Sequence, residues 1–236
     1  QIGQDIDGEN SGDWSGHEVS ISGDGNIVAI GSIRNNDNGN WAGQVRIYEN
    51  ISGTWTQKGQ DLEGDSAYDE FGWTISLNFD GSIVGIGTYG NCYVKIYEDR
   101  GGVWSSIGQD ITENCNWNSI AWFGIQVSLS LDGSKVAIGA KGSYSATGAV
   151  IVYENNNSSW DQIGPIIIGE NIGDRFGRSL SLSGNGNTVA IGGNFNNGNG
   201  SLAGHVRVHY YDSTITSPCP DLGCLDPLAL NFDPFA

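Results

Sequence analysis

Three kinds of side chain in this sequence could do chemistry: carboxylates gathered in short loops, three histidines, and aromatics set among asparagine and glycine. The carboxylates crowd into residues 5–13, 61–70 and 170–174. Oxygen-rich loops suit a hard cation, so weak Ca²⁺ binding or acid-mediated contact is one reading of them, beside a solvated, turn-rich rim. The histidines are His17, His205 and His209. On one extended strand His205 and His209 would stand roughly 13 Å apart, too far to share one metal directly. Neither a nucleophile elbow, nor a zinc-protease helix, nor a phosphate loop is present, and carboxylate abundance without position is no glycosidase pair. The expectation is a chain that is not an enzyme, with no cofactor.

The aromatics Trp41, Tyr89, Tyr144 and Phe195, with Trp117, stand in loops of Asn and Gly and form the candidate ligand-binding set. Flat rings with flexible amides suit sugar stacking or protein contact, and equally suit caps folded over strand ends. Cys92 and Cys115 fall in neighbouring positions of the repeat described below, so a disulfide between them is expected, with two reduced buried thiols as the alternative. Cys219 and Cys224 would pair with each other, or Cys224 with a cysteine further on. Asn50, Asn156, Asn157 and Asn199 sit in glycosylation sequons, a pattern that Asn-rich sequence also produces by chance.

With 10 Lys and Arg against 27 Asp and Glu, the chain carries a formal charge of −17. Such a field repels phosphate backbones and anionic bilayers, so no nucleic-acid partner and no membrane insertion are expected. No apolar run is long enough to span a membrane. Methionine is absent, which points to a removed leader or an excerpt from a longer chain. Cysteines in an acidic, Gly/Asn/Ser-rich chain lean towards an oxidising, extracellular or cell-surface setting.

The elements that must position these residues recur four times. Each unit holds a strand such as Val19-Ser20-Ile21-Ser22 (piece A), an Asp-Gly or Asn-Gly turn, and a strand of the form Val28-Ala29-Ile30-Gly31 (piece B). Two more strands follow, one like Val45-Arg46-Ile47-Tyr48 (piece C) and one opening at Trp55, Trp104 or Trp160 (piece D). Asp-Gly and Asn-Gly supply the positive φ that tight hairpins need, and fixed-period self-similarity signals a repeat architecture. The glycines at 3, 59, 108 and 164 are spaced by 56, 49 and 56 residues, so a spare piece D precedes the first unit and the last unit lacks one. Residues 1–212 are therefore expected to form an all-β, four-bladed β-propeller of four-stranded antiparallel blades. Residues 1–5 would close the ring by completing the last blade beside residues 206–210; a two-sheet sandwich is the rival.

Phe71-Gly72, Phe123-Gly124 and Phe176-Gly177 before piece A, with Ser15-Gly16 in the first unit, resemble FG-GAP repeats, the blades of integrin-α-like propellers. That resemblance implies Ca²⁺ ligands at Ser20, Ser22, Asp24 and Val28, and at Ser76, Asn78, Asp80 and Val84. One carboxylate and a valine do not make such a site, so Asp24, Asp80 and Asp132 read as hairpin-turn residues, and no metal site is expected. Residues 213–236 form a Cys/Pro-containing tail that resembles a short Cys-Thr-Asp-Pro module of secreted surface proteins, with Leu225 and Phe232 as departures. The module ends early, implying a longer parent.

These features together predict a non-catalytic extracellular structural or adhesive module that acts through protein partners or self-association in a surface assembly. The alternative is a lectin that binds glycans through its aromatic loops.

Overall fold

The computed structural model describes residues 1–113, 122–142 and 146–210. These residues build four antiparallel sheets, taken in chain order. Sheet one holds β1 (Ser15–Ile21), β2 (Ile27–Ser32), β3 (Gln44–Ile51) and β4 (Thr54–Gln57), with β5 (Leu62–Glu63) returning onto β3. Sheet two repeats this plan with β6 (Thr74–Leu77), β7 (Ile83–Gly87), β8 (Tyr93–Asp99), β9 (Trp104–Ser106) and β10 (Ile111–Thr112). Sheet three holds β11 (Phe123–Leu129), β12 (Lys135–Ala140), β13 (Ala149–Asn155) and β14 (Trp160–Ile168). Sheet four is described as β15 (Ser179–Leu182), β16 (Thr188–Gly193) and β17 (His205–Tyr210).

Each first hairpin closes by the same local chemistry. Ser22 Oγ accepts the Ile27 N–H while donating to Asp24, whose carboxylate also accepts from Asn26. Asn78 with Asp80, Ser130 with Asp132 and Ser183 with Asn185 repeat the arrangement. Donors from Ser22 and Asn26 hold the Asp24 carboxyl down at about 2. These acids organise turns, because a short polar side chain satisfies backbone donors that the hairpin leaves unpaired.

Neighbouring sheets pack through three apolar seams. Val45 and Ile47 of sheet one lie against Ile75, Leu77, Val84 and Ile86 of sheet two. Val94 and Ile96 then meet Val127, Leu129, Val136 and Ile138, while Val150 and Val152 meet Leu182, Val189 and Ile191. The small residues of piece B have a use here: a Cβ on Gly31 would lie 2.5 Å from Gly72 O, and on Gly87 2.1 Å from Gly124 O. The phenylalanines Phe71, Phe123 and Phe176 are fully buried among these contacts.

The expected ring closure is not what the chain does. Residues 1–5 lie against sheet one, where Gln4 donates to Trp55 O and accepts from Trp55 N, and the Trp55 indole donates to Ile2 O. Gln60 holds Trp104 in the same way, and Gln109 holds Trp160. The spare N-terminal piece thus reaches forward to the sheet that follows it, because the tryptophan it recognises stands there. Val19 and Ile21 of sheet one are 58% and 59% exposed, and Val206 and Val208 of sheet four 68% and 66%. Among the described residues, the seam between sheets four and one is open.

Candidate functional site: a concave cleft

In each sheet a glycine with φ near +85° turns the chain into its innermost strand: Gly16 (87°), Gly72 (89°), Gly124 (88°) and Gly177 (84°). The next residue of each unit is delivered to one concave surface: His17, Trp73, Ile125 and Arg178. Glu18, Gln126 and Ser179 come from the following position, and Lys141 and Asn194 from the ends of piece B. Together they line a cleft of about 270 Å³. Residues more than 150 positions apart in sequence share this surface because inner strands β1, β6, β11 and β15 succeed one another around it.

The cleft has an aromatic wall and a charged wall. His17 lies 4.8 Å from Trp73 by ring centroids, and Trp73 lies 4.4 Å from Tyr89. The Lys141 ammonium stands 4.9 Å from the Trp122 ring and 5.7 Å from Tyr89, within cation–π range. Lys141 is buried, and that burial, reinforced by the positive charges of Arg178 and Arg175, brings its pKa down to about 8. Burial also lowers the His17 pKa and raises that of Glu18. The cleft therefore offers a neutral imidazole, a carboxyl group and two cations beside a flat apolar ring. Such a set can polarise a carbonyl, hold an anion and move a proton to or from water.

Among the described aromatics of the expected set, only Tyr89 packs on residues that line this surface, against Trp73 and Lys141. Trp41 faces the Arg34 guanidinium at 4.3 Å, and Trp14 stands 3.3 Å from the same group. Phe195 lies 4.2 Å from Arg175. Each described aromatic of the set thus carries a cation of this chain over its ring. Tyr144 and Trp117 lie outside the described residues. Cys92 is buried and is no free thiol, whereas Cys115, Cys219 and Cys224 lie outside the described residues, so the expected pairings remain proposals. Asn50, Asn156, Asn157 and Asn199 all stand at or near exposed turns.

The acidic loops are largely internal scaffolding. Asp13, Asp69 and Asp174 are buried and accept backbone donors from Asn10, Ser66 and Asn171. Asp65 and Glu170 pair with Lys95 and Arg207. Among the described residues, no group of three His, Cys, Asp or Glu is arranged to hold a metal ion.

No family model matches this chain, and no curated protein does. Solved structures do. The periplasmic gluconolactonase PpgL of Pseudomonas aeruginosa matches with a TM-score of 0.56 at 17% identity, over 83% of this chain and 57% of its own. A Bacteroides fragilis protein described as a candidate 6-phosphogluconolactonase matches at 0.57 and 14%, over 83% and 50%. Kuenenia stuttgartiensis hydrazine synthase matches at 0.55 and 14%, over 88% and 49%. The chain spans about half the length of these structures, and at such identities the likeness is one of fold.

These findings correct two expectations. The chain shares its all-β fold with solved lactonases, so the readings as a non-enzyme and as a non-catalytic adhesive module, with its lectin alternative, do not stand. They rested on the lack of a linear catalytic motif, whereas the titratable groups of the cleft come no more than two from any one sheet. The described residues hold no helix long and apolar enough to cross a membrane.

Proposed function

We propose that this chain forms part of a β-propeller hydrolase whose concave cleft opens lactones of sugar acids. The observation that carries this reading is the convergence of Lys141, Arg178, His17 and Glu18 beside Trp73 on one concave surface. The names of the gluconolactonase and of the candidate 6-phosphogluconolactonase that share the fold supply the substrate class.

The chemistry follows from the residues. His17, kept neutral at pH 7 by its lowered pKa, takes a proton from water as the water oxygen bonds to the lactone carbonyl carbon. Lys141 and Arg178 hold the oxyanion of the tetrahedral intermediate. Collapse breaks the bond from that carbon to the ring oxygen, which takes the proton back from His17. The product is an open-chain aldonic acid, which gives its carboxyl proton to solvent and leaves a carboxylate that the same two cations hold. Trp73 offers its face to the C–H side of the sugar.

Titration of acid released from D-glucono-δ-lactone, above the spontaneous rate, tests the reading. Wild-type chain is expected to accelerate opening, and His17→Ala to lose about 10²-fold or more of that acceleration. A rate equal to the buffer blank would refute it. We further propose an extracytoplasmic setting, supported by the Cys92 environment and the periplasmic fold neighbour.

A further inference from the structure

We propose that the open ends of the four-sheet arc bind each other between two copies of this chain, head to tail, to close an eight-sheet ring. The occupant is argued from the seam the molecule already makes three times. In each internal seam, alternate residues of piece C on one sheet cover pieces A and B of the next. At the ends, piece C of sheet four and piece A of sheet one stand uncovered among the described residues. Val206 and Val208 are the counterparts of Val45 and Ile47, and Val19 and Ile21 are the counterparts of Ile75 and Leu77.

Polar features match as closely. Across successive seams the N–H of Leu77, Leu129 and Leu182 donates to Ser20, Ser76 and Ser128 of the preceding sheet. Ser181 is the next serine of this series and is exposed; Ile21 carries the N–H that would reach it. The turns are linked likewise, Gly23 N to Phe79 O, Phe79 N to Leu131 O and Leu131 N to Gly184 O, which leaves Gly184 N facing Gly23 O of a second copy. The close-approach glycines agree. A Cβ on Gly31, Gly87 or Gly139 would strike the glycine carbonyl of the next sheet, whereas one on Gly192 meets only Ser179, and one on Gly16 meets nothing within 4 Å.

Such an interface is heterologous, and a heterologous contact closes or runs on into a filament according to its rotation. This chain covers 49–57% of the solved structures that share the fold, so two copies together match roughly the length of one of them, and closure rather than a filament is expected. Ser15 stands where Phe71, Phe123 and Phe176 plug the other seams, so the closing seam is weaker than the internal ones.

Sedimentation equilibrium of the full 236-residue chain in 0.15 M salt, across a concentration series, tests this. A reversible species of twice the chain mass, with nothing larger, is expected. Ile21→Glu alone and Val208→Glu alone each weaken association at least tenfold, because each spoils both seams of the ring. Mixing the two variants restores a one-to-one complex through the seam that neither substitution touches, which also shows both variants to be folded. A chain that stays monomeric at all concentrations, as it would if residues 211–236 cover the face, overturns the proposal. So do open-ended polymers, or variants that do not complement each other.

Discussion

Gln60 and Trp104 are joined at both ends of one amide: Nε2 donates to the Trp104 carbonyl at 2.6 Å, and Oε1 accepts the Trp104 N–H at 3.1 Å. The Trp104 indole then donates to Lys58 O at 2.8 Å, wrapping the turn at Gly59. A Cβ on Gly59 would lie 2.7 Å from the Trp104 ring, so this clasp explains the regular glycine as well as the glutamine. Gln60→Ala removes both partners of a part-buried backbone pair and is expected to cost about 1–3 kcal/mol. Urea unfolding measures it; a loss under about 0.3 kcal/mol would mean that water replaces the amide.

The serines of piece A should divide by position. Ser76→Ala leaves the Leu129 N–H without its acceptor at a seam and is expected to cost about 1–3 kcal/mol. Ser181→Ala removes the same hydroxyl from an exposed position and should leave monomer stability within about 0.5 kcal/mol. Chemical denaturation at a concentration too low for association separates the two.

Tyr93 donates to the buried Asp69 at 2.5 Å, and Asn91 and Ser66 hold the same carboxylate. Tyr93→Phe keeps the ring and deletes one donor to a buried acid. A loss of about 1.5–3 kcal/mol is expected by thermal or urea unfolding.

Lys141 makes stability depend on pH in a stated direction. Its pKa is about 8 in the folded chain against 10.5 for an ordinary lysine, so between those values the unfolded chain binds more protons. Stability therefore rises with pH across that window, and below pH 8 the buried charge is a constant penalty. Lys141→Met should flatten the rise and stabilise the fold at pH 7. The proposed lactone opening should show an alkaline limb near pH 8, where the ammonium is lost.

The strands and hairpin turns were legible because Val-Ala-Ile-Gly alternation and Asp-Gly turns are local signals, and β2, β7, β12 and β16 fall on them. The path of residues 1–5 was not. Phasing showed a spare piece D, but the choice between Trp55 and the last sheet depends on a side-chain clasp that strand patterns do not encode. The cleft was hidden for a related reason. His17, Trp73, Ile125 and Arg178 occupy one repeat position with four different chemistries, so each looked like noise in a repeat. The signal was there: the residue after a glycine common to all four units differs in every unit, and in every unit it lines the cleft.

The place where a sugar acid binds tests the account most directly. In crystals soaked with D-gluconate, the account predicts ligand density in the concave cleft, its carboxylate against Lys141 and Arg178 and its carbon face on Trp73. Density only at the loop aromatics Trp41 and Phe195, with the cleft unchanged, would contradict it.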